Sequence, residues 1–142
     1  MLKLTRKVEY ALIALRHMQS KEAGSVTNTK EIAETYGIPQ QLLAKTLQRL
    51  ARDGIIEPLQ GPAGGYRIQA DLTKITLKEF LETLEGPIGL MDCYFDTDCS
   101  QLSACNIRSP IQQINESLRI LFDSMTVQEV TTVNQPKGSP HA

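Results

Sequence analysis

Apolar residues recur along the chain at steps that fix most of its elements. Val8, Ala11, Leu12, Leu15 and Met18 predict an amphipathic helix that opens at Thr5 and stops near Lys21-Glu22-Ala23-Gly24. Asn28 with Glu31 three residues on has capping-box spacing. Ile32, Ala33 and Tyr36 give that second helix a short apolar face, and Gly37 closes it. Pro39 can open a third helix, about residues 40–53, because its missing N–H costs nothing in a first turn. Leu43, Leu47 and Leu50 are its apolar stripe, and Gly54 stops it. Residues 55–59 and 66–68 read as short strands around Gln60-Gly61-Pro62-Ala63-Gly64-Gly65, a hairpin turn. Thr76 and Glu79 form another capping box ahead of Leu77, Phe80, Leu81 and Leu84, and Gly86-Pro87 ends that helix. Residues 88–108 lack periodicity. Ser109 as N-cap and Pro110 as first helical residue then predict a long helix. Its apolar residues Ile111, Ile114, Leu118, Leu121, Phe122 and Met125 trace a heptad-like seam. Thr126 and Glu129 cap a last short turn, and residues 134–142 read as a disordered tail.

Helix, Gly-centred turn and helix over residues 28–53 is the layout of a helix-turn-helix. The third helix is then the reader. Opposite its leucine stripe it offers Gln40, Gln41, Ala44, Lys45, Gln48, Arg49 and Arg52. Lysine and arginine neutralise phosphates, arginine reads guanine, and glutamine pairs with adenine in the major groove. A hairpin directly after the reader makes a winged helix, mainly α, with Gln60, Gly61, Gly64 and Gly65 in the wing. The bland alternative is a helical pair with a solvated face. The Gly-rich turn is not a phosphate loop, because it lacks the Gly-Lys-Ser/Thr ending.

Charge changes the picture only when it is split. The 142 residues carry 15 Lys+Arg and 16 Asp+Glu, a net −1 that argues against coating a polyanion by bulk charge. Residues 1–70, however, hold ten basic and six acidic side chains, and residues 71–142 hold five and ten. A +4 half joined to a −5 half suggests two jobs. No apolar run approaches the roughly 20 residues of a membrane span, and the first residues lack a signal-peptide pattern, so a cytoplasmic protein is expected.

Cys93, Cys99 and Cys105 are spaced Cys-x5-Cys-x5-Cys. An odd count in a reducing compartment argues against a disulfide framework, and the spacing is wider than a zinc knuckle. Equal, wide spacing in a polar loop suits ligands wrapped around something larger than one ion, such as an iron–sulfur cluster held by thiolates. Asp92, Asp96 and Asp98 would raise the thiol pKa values unless a bound cation reverses that effect. Three unrelated free thiols remain the plain alternative. A zinc or thiol-switch site is another. A thiol redox enzyme fits poorly, with no Cys-x-x-Cys and no nearby His, so no enzymatic activity is expected.

Together these residues resemble the IscR/NsrR-type regulators, bacterial winged-helix transcription factors of the Rrf-two family. The match runs through residues 4–12, Glu31-Ile32-Ala33, Gly37-Ile38, Leu47-Gln48-Arg49-Leu50, Gly54-Ile55-Ile56, the Gly61-Pro62-Ala63-Gly64-Gly65-Tyr66 wing and the three cysteines, about residues 1–133 in all. Leu84-Glu85-Gly86-Pro87-Ile88 further resembles the subgroup that regulates iron–sulfur cluster assembly. The resemblance implies a homodimer on a near-palindromic double-stranded operator. It also implies a two-iron or four-iron cluster on Cys93, Cys99 and Cys105 that reports iron–sulfur, redox or nitric oxide status. One branch supplies the fourth ligand from a His three residues after the last cysteine, where this chain has Arg108. Another uses an acid of the first helix from the partner subunit, and the matching residue here is Glu9. Gln60 stands where some members place a minor-groove Arg, and Ala44 where some carry a discriminating Glu.

The expected organisation is a DNA-binding winged helix over 1–75, a linker helix and cysteine loop over 76–108, a dimerisation helix and terminal turn over 109–133, and the tail. Two long helices would pair through Ile111, Ile114, Leu118, Leu121 and Phe122.

Overall fold

A computed structural model describes residues 4–89 and 106–132. The elements run α1 (Arg6–Gln19), α2 (Thr29–Tyr36), α3 (Gln40–Arg52), β1 (Ile56–Leu59), β2 (Gly65–Ile68), a 3-10 turn (Leu72–Lys74), α4 (Leu77–Glu85), α5 (Arg108–Asp123) and α6 (Val127–Thr132). Helix with a small two-stranded sheet is the winged-helix architecture that the sequence pattern predicts.

Caps set most helix starts. The Thr5 hydroxyl accepts the Val8 N–H, and Asn28 Oδ1 accepts the Glu31 N–H at 2.7 Å. Gly37 closes α2 in the left-handed region, φ +66°, and its N–H returns to the Ala33 carbonyl. The Thr76–Glu79 capping box is complete. A second reciprocal pair, Thr126 with Glu129, opens α6. The two starts lie side by side, since Leu77 N–H donates to Met125 O at 2.7 Å and Val127 N–H to Ile75 O at 2.9 Å.

Three local expectations change, and one element is new. The Glu31 carboxylate does not return to its own helix start; Lys21 and His17 take it instead. Pro39 is the N-cap of α3 rather than its first helical residue. Helix α5 begins at Arg108, with Ile107 as N-cap and no capping side chain, so Ser109 is already inside the first turn. The 3-10 turn, capped by Asp71, has no counterpart in the sequence reading.

One core joins elements from α1 to α6. Leu15, Ile32, Leu43, Leu47, Leu50, Ile56, Phe80 and Val127 are fully buried in it. Burying a side chain of this size stabilises by about 1.5–3 kcal/mol. Arg119 ties α5 to α4 through Glu82 at 3.9 Å. No helix among the described residues is long and apolar enough to cross a membrane.

Candidate nucleic-acid interface

Helix α3 is sharply two-sided. Leu43, Leu47 and Leu50 face the core, while Gln40, Gln41, Lys45, Gln48 and Arg52 are exposed. Gln41, Lys45, Gln48 and Arg52 follow one another at steps of four, three and four, so they share one outward stripe. Among the described residues neither Lys45 nor Arg52 makes an ion pair, which leaves both ammonium and guanidinium groups to solvent. Leu42, outside the leucine stripe, is a large apolar residue on this helix that is exposed.

Arg49, expected beside Arg52 as a DNA contact, turns the other way. Its Nε donates to Asp53 Oδ2 at 3.1 Å and its Nη2 to the Thr83 carbonyl at 2.7 Å. Only knowledge of where α4 ends could have shown this.

The wing follows directly. β1 and β2 pair antiparallel, Ile56 with Ile68 through Leu59 with Gly65, and Arg67 is ion-paired with Glu57 across them. Gln60 and Gly61 are exposed at the tip. Gly64 and Gly65 are partly buried, and both are required by close approach. A Cβ on Gly64 would collide with the Leu59 and Gly61 carbonyls, and one on Gly65 with the Thr27 carbonyl. At Gly65 the reason is an isolated antiparallel bridge. Thr27 and Tyr66 exchange N–H···O bonds, both 2.8 Å, which sews the hairpin stem to the residue before the α2 cap.

A polar knot holds α2 to α1. His17 Nε2 lies 2.7 Å from Glu31 Oε2, and Nδ1 lies 2.8 Å from the Tyr36 hydroxyl. An ionised carboxylate only accepts, so Nε2 carries the proton there. The Lys21 ammonium, followed by His17, holds the Glu31 carboxyl below its ordinary value near 4.5.

Glu9 sits half-exposed on α1, 3.1 Å from Arg6. Cys93, Cys99 and Cys105 lie outside the described residues. Among the described residues no group of three His, Cys, Asp or Glu could hold a metal ion. Along α5, Ile107, Ile114 and Leu121 are about half exposed, at 50%, 52% and 51%, and recur every seven residues. Ile111 and Leu118 flank them, half-buried. Phe122 departs from that seam and packs against the chain's own core. With Leu118, Leu4, Val8 and Ile88 it lines an apolar groove of about 480 Å³.

Comparison with known proteins agrees with this layout. Residues 4–132 match the Rrf2 family, described as iron-dependent transcriptional regulators. The chain belongs to the Rrf2 family of transcriptional regulators. An HTH-type transcriptional regulator described as rrf2-like, from Rhodobacter capsulatus, is 26% identical over 94% of this chain and 95% of its own length. Among solved structures, CymR, the global cysteine regulator of B. subtilis, superposes with a TM-score of 0.74 at 24% identity, covering 95% of this chain and all of that one. IscR of T. potens gives 0.67 at 20% identity, covering 96% and 95%. These two likenesses establish the shared fold of an Rrf2 regulator.

Proposed function

We propose that this Rrf2 regulator works as a homodimer that docks two α3 helices and two wings on a near-palindromic operator, under the control of a group held by Cys93, Cys99 and Cys105. The observation that carries the DNA half is the outward stripe of α3. Gln41, Lys45, Gln48 and Arg52 stand in solvent beside an exposed wing tip, on a helix whose other face is locked into the core. Gln40 completes the first turn of that surface, and Gln60 and Gly61 supply the tip. Support for the dimer comes from the open Ile107, Ile114 and Leu121 face, which continues into the groove under Leu118. A paired α5 of 16 residues is about 24 Å long, enough for a dimer seam, and the dimer would place its two reader helices roughly one DNA turn, about 34 Å, apart.

The donor set favours an iron–sulfur cluster. Three thiolates can hold a cluster that takes its remaining ligand elsewhere, and a carboxylate is a weak, exchangeable ligand for iron. Glu9 from the second copy is the candidate for that position. Its carboxylate is accessible, and the Arg6 pairing that it would give up is a surface ion pair worth less than about 1 kcal/mol. When bound, the cluster supplies an iron centre sensitive to redox state and small oxidants. The chain's own part is to hold it with Cys93, Cys99, Cys105 and Glu9, and to transmit its presence through α1, which packs on α3 in the core. Such control requires the group to interact differently with two arrangements of the heads. Regulation of iron–sulfur assembly genes is the target class that this reading favours.

Anaerobic reconstitution with iron and sulfide is the decisive test. A brown protein with visible charge-transfer absorption, lost in Cys99→Ala while the fold and dimer persist, is the expected result. A colourless protein with stoichiometric zinc, or a thiol that only cycles between reduced and oxidised forms, overturns the cluster in favour of a zinc or thiol-switch regulator.

A further inference from the structure

A helix leaves its last four carbonyls without donors of its own. In α4 these belong to Glu82, Thr83, Leu84 and Glu85. Gly86 N–H takes the Glu82 carbonyl at 2.8 Å. The next two are taken by cations from other helices. Arg49 Nη2 of α3 lies 2.7 Å from Thr83 O, and Lys7 Nζ of α1 lies 3.4 Å from Leu84 O. Both cations sit at the negative end of the α4 dipole, where positive charge is favoured. Arg49 is further held by Asp53, one turn along its own helix, at 3.1 Å. Two edges of the planar guanidinium are therefore occupied, in a fork that a lysine cannot reproduce.

We propose that Arg49 is a positioning residue for DNA recognition, which pins the second half of α3 to the end of α4, and is not a phosphate ligand. The inference rests on the DNA-binding role proposed for α3. To reach a phosphate, Arg49 would have to leave two acceptors, and the Thr83 carbonyl would lose its donor. Lys45 and Arg52 face no such cost, since among the described residues they have no ion pair to break. The bond also gives α4 a direct hold on the reader helix. Cys93 follows Glu85, the last residue of α4, by eight positions, so α4 lies between that segment and the reader helix in the chain.

The test compares a duplex enriched from a random-sequence pool by the wild-type protein with a scrambled duplex of equal length, over a series of salt concentrations. A lost phosphate contact weakens both duplexes alike and reduces the log–log salt slope by about 0.9. Arg49→Ala is expected to weaken the selected duplex about tenfold, the effect of one hydrogen bond to a charged group. The slope and the scrambled-duplex affinity should hold. Arg49→Lys keeps the charge but serves one acceptor at a time, and should lose part of the preference at the same slope. A reduced slope in Arg49→Ala, an equal loss on both duplexes, or wild-type behaviour of both variants overturns the proposal. Lys45→Ala separates this from the broader reading. If its slope also stays unaltered, or if the wild-type protein enriches no sequence, DNA docking by α3 falls and the role of Arg49 falls with it.

Discussion

Helices α3 and α5 are similar in amphipathic character, yet the molecule finishes one and leaves the other open. In α3 the leucine stripe is wholly buried, with Leu43, Leu47 and Leu50 at 0% exposure. In α5 the heptad residues Ile107, Ile114 and Leu121 stand half in solvent, while Asn115 and Phe122 on the neighbouring face take the contacts with the body of the protein. An isolated exposed leucine needs no explanation, but a repeat of three at heptad spacing is the pattern of a helix seam, which is why the proposed dimer is placed there. The difference teaches which apolar face is already covered. Helix α3 spends its whole apolar face in the core that α1 to α6 share, whereas α5 carries an extra apolar face that this core does not cover.

The sharpest break of that comparison is at Leu47. Leu47→Ala empties a fully enclosed site and should lower the unfolding free energy by about 2–5 kcal/mol in denaturant titration. A loss under 1 kcal/mol would mean that the head is not closed. A second variant probes the other face. Ile114→Asp with Leu121→Asp should raise the dimer dissociation constant by at least about 100-fold, because carboxylates enter an apolar seam without partners. Sedimentation velocity reads this directly, and the unfolding midpoint of dilute monomer should stay put. A dimer that survives both changes places the interface elsewhere. The smallest effect belongs to the knot between α1 and α2. The Glu31 carboxyl is held below its ordinary value, so its contribution is complete above about pH 4.5 and fades as pH falls through the lowered value. Glu31 is partly exposed, which limits the effect to less than about 1 kcal/mol. Glu31→Gln should flatten that acid limb of the stability profile and leave the neutral plateau within this margin; an unaltered limb would assign the acid sensitivity to other carboxylates.

Where the sequence was legible follows from the same contrast. Asn28, Thr76 and Thr126 mark helix starts because a cap is a bond between residues three apart, and such bonds need no knowledge of the rest of the fold. The α3 stripe and the wing were legible for the same reason, since period and turn chemistry are local. The bonds of Arg49 were not legible because its acceptor, Thr83, is 34 positions away. The Glu31 carboxylate was diverted by His17 and Lys21, which only the packing of α1 on α2 brings near. Phe122 read as seam because one step of 100° separates it from Leu121, too little for periodicity to assign a face. Gly64 and Gly65 read as turn formers, and the Thr27 bridge that demands Gly65 lies almost forty residues upstream.

That Thr27 bridge has a corollary for the proposed interface. The hairpin stem is stitched on both sides, to its partner strand and to the residue ahead of the α2 cap, and it admits no side chain at Gly65. The tip, from Gln60 to Ala63, is exposed, and the Gly64 N–H closes its turn on the Gly61 carbonyl at 2.9 Å. Gly61 itself holds φ +105°, a conformation that disfavours any side chain. Gln60, Pro62 and Ala63 are therefore the tip positions whose side chains can change without disturbing the stem. In the proposed docking, new groove contacts can be written at those three positions while the fold beneath them stays as it is.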